Sequence, residues 1–275
     1  MPALPEADNS WISDETDQLR PSAARVYDYL LGGAHNFAVD RALAARLLAV
    51  QPNGATVARL NRAFMRRAVL FMVEAGVRQF LDLGSGIPTV GNVHEIAQKA
   101  DPACRVVYVD YEDVAAAHGQ LLLEGNDRAA MVQADITDPA AVLNAPATRR
   151  LIDFDEPVGL LAVTLFHYVS PRQDPYAILR RYRDALVAGS YLAISHAASD
   201  FPSINVEGAV EEMRKAHSDN IYPRNRAEVL ELFAGFELVE PKLVTTSQWR
   251  PDWSVDPSAD PEADGLYAGV GRKKW

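Results

Sequence analysis

The sequence predicts an α/β fold in which helices cover both faces of a mostly parallel sheet. Short apolar runs, typical of buried strands, alternate with helical patterns at intervals of roughly 25 residues, as in parallel sheets. Three successive runs end in a glycine turn or an aspartate, and strand ends form the ligand-binding edge of an open α/β sheet. At 275 residues, the chain is long enough for one large domain of this class.

Three helices are predicted ahead of the first strand, over residues 22–31, 39–50 and 56–75. Gly76 follows the third helix as a C-cap. We therefore expect a helical extension over residues 21–76 that could act as a lid. The lead-in at 1–20 is acidic and proline-containing, which predicts a flexible segment, and it lacks the basic-then-apolar order of a signal peptide.

The remaining residues, 77–275, are predicted to form the main domain. Its predicted strands cover residues 79–83, 105–110, 129–134, 160–166, 191–195, 236–239 and 267–270. Its predicted helices cover residues 93–99, 114–123, 176–187, 206–217 and 226–233. Little helix separates the last two strands, which predicts an antiparallel pair at one edge of the sheet.

Composition excludes several classes of function. The formal net charge is -10, with acidic and basic residues interleaved, and a field of that sign repels nucleic-acid backbones. Cys104 is the one cysteine, so a disulfide framework or a thiolate metal cluster within the chain is excluded. The longest apolar run, 158–166, is about half of the ~20 residues that a membrane span needs. We expect a cytoplasmic protein that binds neither nucleic acid, membrane nor a metal ion.

The strongest local motif is the run from Asp82 through Gly84, Ser85 and Gly86, in which a strand enters a glycine turn and then a helix. Glycine allows the backbone to approach a ligand closely, and the N-terminus of the helix offers free N–H groups. The motif alone indicates a nucleotide site in general terms. A tight turn without a ligand is the alternative interpretation.

Two further acids follow at the ends of the next two predicted strands. Asp110 lies 24 residues beyond Gly86, where a carboxylate can accept hydrogen bonds from both ribose hydroxyls of an adenosine. Asp110 could instead be the N-cap of the next helix. Asp135 can accept from an exocyclic amino group such as that of adenine, while Ile136 packs on the ring. Together the three strand ends are a more specific signal for an adenosine-containing ligand than any one of them.

Binding of NAD or FAD is the natural alternative, and the loop argues against it. The dinucleotide fingerprint has glycine or alanine where this chain has Thr89. Pro88 stiffens the turn where a pyrophosphate needs backbone N–H groups. Asp82 also puts a negative charge near that position, which suits a cationic sulfonium better than a phosphate.

The strand ends resemble the successive motifs of class I S-adenosylmethionine-dependent methyltransferases, including the Leu165-Phe166-His167 strand end. More narrowly, the chain resembles the actinobacterial S-adenosyl methyltransferase family, first catalogued as a domain of unknown function. This narrower resemblance extends over nearly the whole chain from Pro21 and is carried by residues 24–33, 36–37, 40–41, 79–89, 92–94, 107–110, 235–241 and 267–273.

The resemblance implies a Rossmann-like, seven-stranded, mostly parallel sheet with a reversed last strand. It implies S-adenosylmethionine as cofactor and S-adenosylhomocysteine as product, with Leu165 beside the cofactor, and it implies no particular acceptor. The chain departs from the family pattern at Tyr111-Glu112, which makes Tyr111 a stacking partner for ribose or base.

The N-terminal extension supplies further candidate residues. Arg25, Tyr27 and Asn36 flank the glycine pair Gly32-Gly33, so this segment could hinge over the cofactor and touch the methionine or the acceptor. In the alternative interpretation the first helix only packs on the sheet. Arg62 is a weaker candidate for holding the methionine carboxylate, since it could equally lie on a solvated helix face.

His167 is the candidate catalytic residue. At a strand end, it could act as general base on a hydroxyl acceptor, or it could be a hydrogen-bonded histidine of the wall. We therefore expect methyl transfer to an unidentified acceptor, which the acidic surface and the aromatic–polar lid predict to be a small molecule. A non-catalytic S-adenosylmethionine sensor and an NAD(P)-dependent oxidoreductase are the alternatives.

Overall fold

A computed structural model gives the structure of residues 18–88, 91–202, 204–216, 218–252 and 264–274. Most of the predicted lead-in and Thr89, on which part of the argument against NAD rests, lie outside the described residues. The strands are β1 (Gln79–Leu83), β2 (Arg105–Asp110), β3 (Ala129–Gln133), β4 (Gly159–Val163), β5 (Tyr191–Ala197), β6 (Phe236–Leu238), β7 (Val244–Thr245) and β8 (Leu266–Lys273). They form one sheet, confirming the predicted α/β class.

The sheet has the order β3-β2-β1-β4-β5-β8-β6, with the two-residue β7 also paired to β8. The pairs from β3 to β5 are parallel, whereas β8 runs antiparallel to both β5 and β6. The predicted antiparallel pair is therefore β6 with β8, and the reversed last strand is β8. Among the described strands, β7 is the addition to the seven that were predicted.

The helices are α1 (Ala23–Leu30), α2 (Ala38–Val50), α3 (Gly54–Glu74), α4 (Val93–Ala100), α5 (Asp113–Leu122), α6 (Pro139–Asn144), α7 (Pro146–Leu151), α8 (Pro175–Asp184), α9 (Val206–Lys215) and α10 (Arg226–Glu231). Neither α6 nor α7 was predicted, because six residues that begin with proline show too little helical periodicity.

The end of β4 corrects one prediction. The strand stops at Val163, and Phe166–Tyr168 forms a short 3-10 helix, so Leu165 and His167 are not strand residues. The physical reason is Thr164, whose φ of 52° places it in the left-handed region that a strand cannot continue through. The chain leaves the sheet there and turns along its edge.

Two apolar cores cover the faces of the sheet. One contains Ile178 and Tyr182 of α8, and the other contains Phe64 and Met72 of α3, so α3 of the predicted extension packs directly on the strands. A third, small cluster joins α1, α2 and α9 around Val26, Leu43, Ala44 and Met213. We name these three helices the cap. Among the described residues, no helix is long and apolar enough to cross a membrane.

Candidate cofactor and acceptor site

A cavity of about 500 Å³ lies between the cap and the C-terminal ends of β1 to β4. This volume falls within the ~300–1,000 Å³ typical of small-molecule sites. Its wall contains every predicted site residue except Arg25 and Asn36, namely Tyr27, Asp82, Gly84, Ser85, Gly86, Asp110, Tyr111, Asp135, Ile136, Leu165 and His167. The fold thus collects residues from five separate segments of the chain around one space.

The glycine turn after β1 needs its glycines for two different reasons. Gly84 and Gly86 have φ of 61° and 65°, which disfavours any side chain there. A Cβ on Gly84 would lie 2.3 Å from Cδ1 of Leu165, so the two loops pack too closely for alanine. A Cβ on Gly86 would meet no atom within 4 Å, because this residue borders the open cavity. Gly86 is thus the point where the turn exposes backbone to a ligand.

Asp110 connects the ends of β1 and β2. Its carboxylate accepts hydrogen bonds from the backbone N–H of Gly86 over 2.8 Å and of Glu112 over 3.0 Å. Burial raises the pKa of Asp110, while these N–H groups act in the opposite direction. The N-cap of α5 is Glu112, which accepts from the N–H of Ala115, so the N-cap alternative for Asp110 was wrong.

Asp82 is a buried carboxylic acid of the site with a shifted pKa. Burial raises the pKa of its carboxyl to about 7, with Arg62 lowering and Asp110 further raising that pKa. Arg62 lines the same cavity and donates from Nη2 to the carbonyl of Gly91 over 2.9 Å. This places Arg62 on the cavity wall and rules out the solvated-face interpretation. An acidic and a cationic side chain that interact electrostatically therefore line the same cavity.

The end of β3 adds an exposed acid and a buried apolar residue. Asp135 accepts from the N–H of Thr137 over 2.8 Å and remains open to solvent and cavity. Ile136 is buried, and its carbonyl is held by the hydroxyl of Tyr182 at 3.0 Å. The two neighbouring residues thus place a carboxylate and an apolar side chain side by side in the cavity wall.

Tyr111 and Asp219 form a contact between the sheet edge and the cap, which we name the clasp. Tyr111 is 57% exposed and donates its hydroxyl to Asp219 over 2.9 Å. Asp219 also accepts the backbone N–H of Ala23, at the start of α1, over 3.1 Å. Sequence reasoning missed Asp219, since its partners lie 108 and 196 residues away.

Arg25 does not line the cavity, and its contact with the cofactor stays a prediction. It is buried, and its guanidinium binds Asp40 over 2.9 Å, pairs with Glu112 and donates to the carbonyl of Arg20. Asp40 in turn accepts the backbone N–H of Phe37 at the start of α2. Arg25 therefore fastens the cap to the loop that follows Asp110.

Asn36 is likewise occupied by its own segment. Its amide donates to Asp28 over 2.8 Å and to the carbonyl of Gly33 over 3.0 Å, and its oxygen accepts from Arg41. These bonds use the side chain to fix the loop between α1 and α2, and the cofactor contact of Asn36 stays a prediction. The glycine pair thus sits in a cross-linked turn.

A buried polar chain, missed at the sequence level, runs beneath the cap. Tyr27 donates its hydroxyl to the carbonyl of Ala58 over 3.1 Å and accepts from Asn61 over 2.9 Å. Asn61 accepts the hydroxyl of Ser195 over 2.6 Å and donates to the hydroxyl of Thr164 over 3.2 Å. Strained residues such as Thr164 cluster at functional sites, and this one borders the cavity.

His167 lies in the cavity wall next to this chain. It is buried, and burial holds its pKa well below the usual value, with His196 and Arg224 lowering the pKa further. Its Nδ1 accepts the backbone N–H of Ala197 over 3.3 Å. The ring is therefore neutral with its proton on Nε2, the tautomer that leaves Nε2 as a donor.

An open sheet of this order, with a glycine turn and acids at successive strand ends, defines a Rossmann-like methyltransferase fold. The sequence model of a family described as S-adenosyl methyltransferase matches residues 9–274, and the chain belongs to that family. It is accordingly an S-adenosylmethionine-dependent methyltransferase.

Two crystal structures resemble the chain over nearly its whole length. A candidate methyltransferase from Thermobifida fusca YX is 41% identical, with a TM-score of 0.88, and the match covers 94% of this chain and 97% of that one. A DUF574 family protein from Streptomyces avermitilis MA-4680 is 38% identical, with a TM-score of 0.90 and coverage of 94% and 99%. Among curated proteins, none matches this chain.

Proposed function

We propose that this protein binds S-adenosylmethionine at the ends of β1 to β3 and transfers its methyl group to a small molecule held beneath the cap. One observation carries the proposal: Asp82, Asp110 and Asp135 end or follow three adjacent strands and face one cavity beside the Gly86 turn. Carboxylates suit a ligand with a cationic end and hydroxyl and amino donors. An open glycine backbone suits its close approach.

Each part of the cofactor would have a matching group in the wall. Asp110 would accept the ribose hydroxyls, and Asp135 with Ile136 would hold the adenine. Tyr111 would stack on the exposed side of the nucleoside. The opposed charges of Asp82 and Arg62 would hold the amino and carboxylate groups of the methionine part.

When bound, the cofactor supplies a methyl group activated by its sulfonium. The protein then has to align the acceptor with that methyl and keep water out. Such positioning alone can accelerate methyl transfer strongly. The cap covers the cavity, and the Tyr27–Asn61–Ser195 chain fixes its floor. Leu165, packed against Gly84, would set the depth of the cofactor in the turn.

We propose that His167 positions the acceptor by donating from Nε2. Its lowered pKa and the bond from Ala197 to Nδ1 leave it a weak base, which gives the general-base role little support. A His167→Gln variant should keep much of the activity, since the amide can donate as Nε2 does. His167→Ala should lose it.

Calorimetry with S-adenosylmethionine, S-adenosylhomocysteine and NAD tests cofactor choice. We expect both sulfur ligands to bind and NAD not to bind, and the reverse result would favour the oxidoreductase alternative. Transfer of labelled methyl to members of an acceptor library tests whether the acceptor is a small molecule. We propose a cytoplasmic location and no nucleic-acid partner on the basis of the sequence and its net charge of -10.

A further inference from the structure

Resting on this proposed function, we infer that the acceptor is an uncharged, largely apolar molecule that offers one hydrogen-bonding group. It would occupy the part of the cavity beneath the cap, which we name the cap lobe. The lobe is lined by Leu30, Leu47, Val57, Ala58, Ala209 and Met213. These residues come from α1, α2, α3 and α9, away from the strand ends that would hold the cofactor.

The apolar lining limits what the cap lobe can hold. A ligand gains from burying apolar surface against these side chains, whereas a charged group there would lose its hydration without a partner. Leu30, Leu47 and Met213 belong to or pack on the small apolar cluster that joins the cap helices. The lobe is thus continuous with an apolar core rather than with the polar rim of the site.

The charges around the cavity disfavour an anionic acceptor. The wall of the cavity contains seven carboxylates, those of Asp28, Asp82, Asp110, Glu112, Asp135, Asp219 and Asp264. Among the described wall residues, Arg62 is the one with a permanent positive charge, and it lies at the cofactor end beside Asp82. An anion in the lobe would therefore meet repulsion and find no guanidinium or ammonium to pair with.

The carboxylates that border the lobe are bonded to protein groups or buried away from a cationic acceptor. Asp28, on α1, accepts with Oδ2 from the N–H of His35 and the amide of Asn36, while its Oδ1 has no hydrogen-bond partner among the described residues and is buried against Gly33. Asp219 is held by the clasp. Asp264 accepts the N–H of Ser247 over 2.7 Å. The remaining acids lie at the strand ends, so charge of either sign is poorly matched by the lobe.

Two polar groups at the boundary of the lobe supply the hydrogen bond. Both Tyr168 and His167 border the cavity. Among the contacts between described residues, neither the Tyr168 hydroxyl nor Nε2 of His167 has a protein partner. Tyr168 also packs against the apolar cluster of the cap, which places it between the lobe and the end of β4. One heteroatom of an otherwise apolar ligand could bond there.

The test uses N-phenylnaphthylamine, an uncharged fluorophore, with the full chain saturated in S-adenosylhomocysteine. Naphthol, naphthoate and naphthylmethylammonium then compete for the fluorophore. We expect naphthol to displace it at a concentration about tenfold lower than either charged compound, which corresponds to one lost or unpaired polar group. Absence of fluorophore binding, or equal competition by naphthoate or the ammonium compound, would overturn the inference.

Variants then locate the binding. Ala209→Trp fills the lobe from α9 and Val57→Trp fills it from α3, and each should abolish fluorophore binding. Glu207→Trp, on the exposed side of α9, is the matched control and should bind normally. Tyr168→Phe should weaken naphthol several-fold and leave the fluorophore unaffected. Unchanged binding in both filling variants would show that the fluorophore binds elsewhere and would refute the cap lobe as the acceptor site.

Binding of S-adenosylhomocysteine to each variant, measured by calorimetry, shows whether the variant is folded with an intact cofactor site, independently of the cap lobe. If S-adenosylhomocysteine does not bind the wild-type chain, the proposed function fails. If it binds but the lobe variants and competitors give the contrary results above, only the inference about the acceptor fails.

Discussion

The carboxylate of Asp110 accepts a 2.8 Å hydrogen bond from the backbone N–H of Gly86, so the end of β2 holds the glycine turn that follows β1. This bond uses one carboxylate oxygen, while the other accepts from the N–H of Glu112. The carboxylate therefore fixes the geometry of the turn and also presents its remaining lone pairs to the cavity. A change at Asp110 should consequently affect both the turn and a ligand.

Asp110→Asn removes the negative charge, keeps the size of the side chain and leaves one of the two N–H groups of the turn without its acceptor. We expect the affinity for S-adenosylhomocysteine to fall roughly ten- to hundredfold, because hydrogen bonds to a charged group contribute about 1.5–3 kcal/mol. Isothermal titration calorimetry measures the loss. Asp113→Asn, an exposed acid on the next helix that does not line the cavity, is the control. Equal affinities for the wild type and Asp110→Asn would remove Asp110 from the ribose site.

Asp82 should make cofactor binding depend on pH. Burial holds the pKa of its carboxyl at about 7, and a cation bound nearby would lower that pKa and release a proton. If the ionised carboxyl is the binding form, affinity for S-adenosylmethionine rises with pH and is about tenfold weaker at pH 6 than at pH 8. Calorimetry in buffers of different ionisation enthalpy measures the affinity and the released proton. Asp82→Asn should flatten the profile, and an unchanged slope in that variant would assign the titration to another group.

Gly86→Ala should impair binding beyond its effect on stability. The φ of 65° makes any Cβ strained by about 1–2 kcal/mol, and here the added methyl enters the cavity. Gly125→Ala is the matched control, because Gly125 has φ of 81°, equally open surroundings and an exposed position outside the cavity wall. Both variants should melt at similarly reduced temperatures, while only Gly86→Ala loses affinity for S-adenosylhomocysteine. Equal affinities for the two variants would mean that the turn is structural.

Most of the fold was predictable because buried strands in this chain are short apolar runs that end in glycine or aspartate. The same local signals located the Gly84–Gly86 turn, Asp110 and Asp135. The two-residue β7 was missed because so short a segment carries no pattern of its own. The left-handed conformation of Thr164 ends β4 three residues earlier than predicted. A single sequence contains no signal for that conformation at a threonine.

The sequence shows which polar residues lie in the cap region, but it does not predict whether each one contacts protein or a ligand. A sequence does not distinguish a polar side chain that pairs with protein from one that faces a ligand. Arg25 and Asn36, both predicted to contact the cofactor, are bonded to protein groups. Asn61 and Ser195 were not predicted as site residues. Their side chains form a hydrogen bond across 134 residues of sequence. Contacts of that separation are fixed by packing of the whole chain, since neither residue lies in a recognisable motif.

Arg25→Gln tests the revised role of this residue. Its guanidinium side chain is 4% exposed and its partner Asp40 is fully buried, so the substitution leaves a buried carboxylate without its ion pair. We expect a loss of about 3–5 kcal/mol in the free energy of unfolding. Arg46→Gln breaks an ion pair with Glu212 in which Arg46 is 46% exposed, and should cost only ~0–1 kcal/mol. Denaturant unfolding measures both, and similar values for the two variants would argue against the fastening role.

Movement of the cap should depend on the clasp. Asp219 is the one described residue that bonds both Tyr111, beside the proposed nucleoside site, and the backbone at the start of α1. A ligand that stacks on Tyr111 would stabilise the clasp and thereby restrict motion of the cap. Lids become ordered in this way when they complete a site. S-adenosylhomocysteine should therefore slow hydrogen exchange in residues 23–31 and 206–216 as well as around Gly86 and Asp110.

Asp219→Asn separates the clasp from the cofactor site, since the amide weakens both of its bonds while leaving the strand ends intact. This variant should still bind S-adenosylhomocysteine and protect the strand ends, with much less protection in residues 23–31. Asn220→Ala, at the exposed neighbouring position, should behave as wild type. Exchange in 23–31 that does not respond to ligand in the wild type would show that α1 is fixed packing. Acceptors would then have to enter the cap lobe without any opening of that helix.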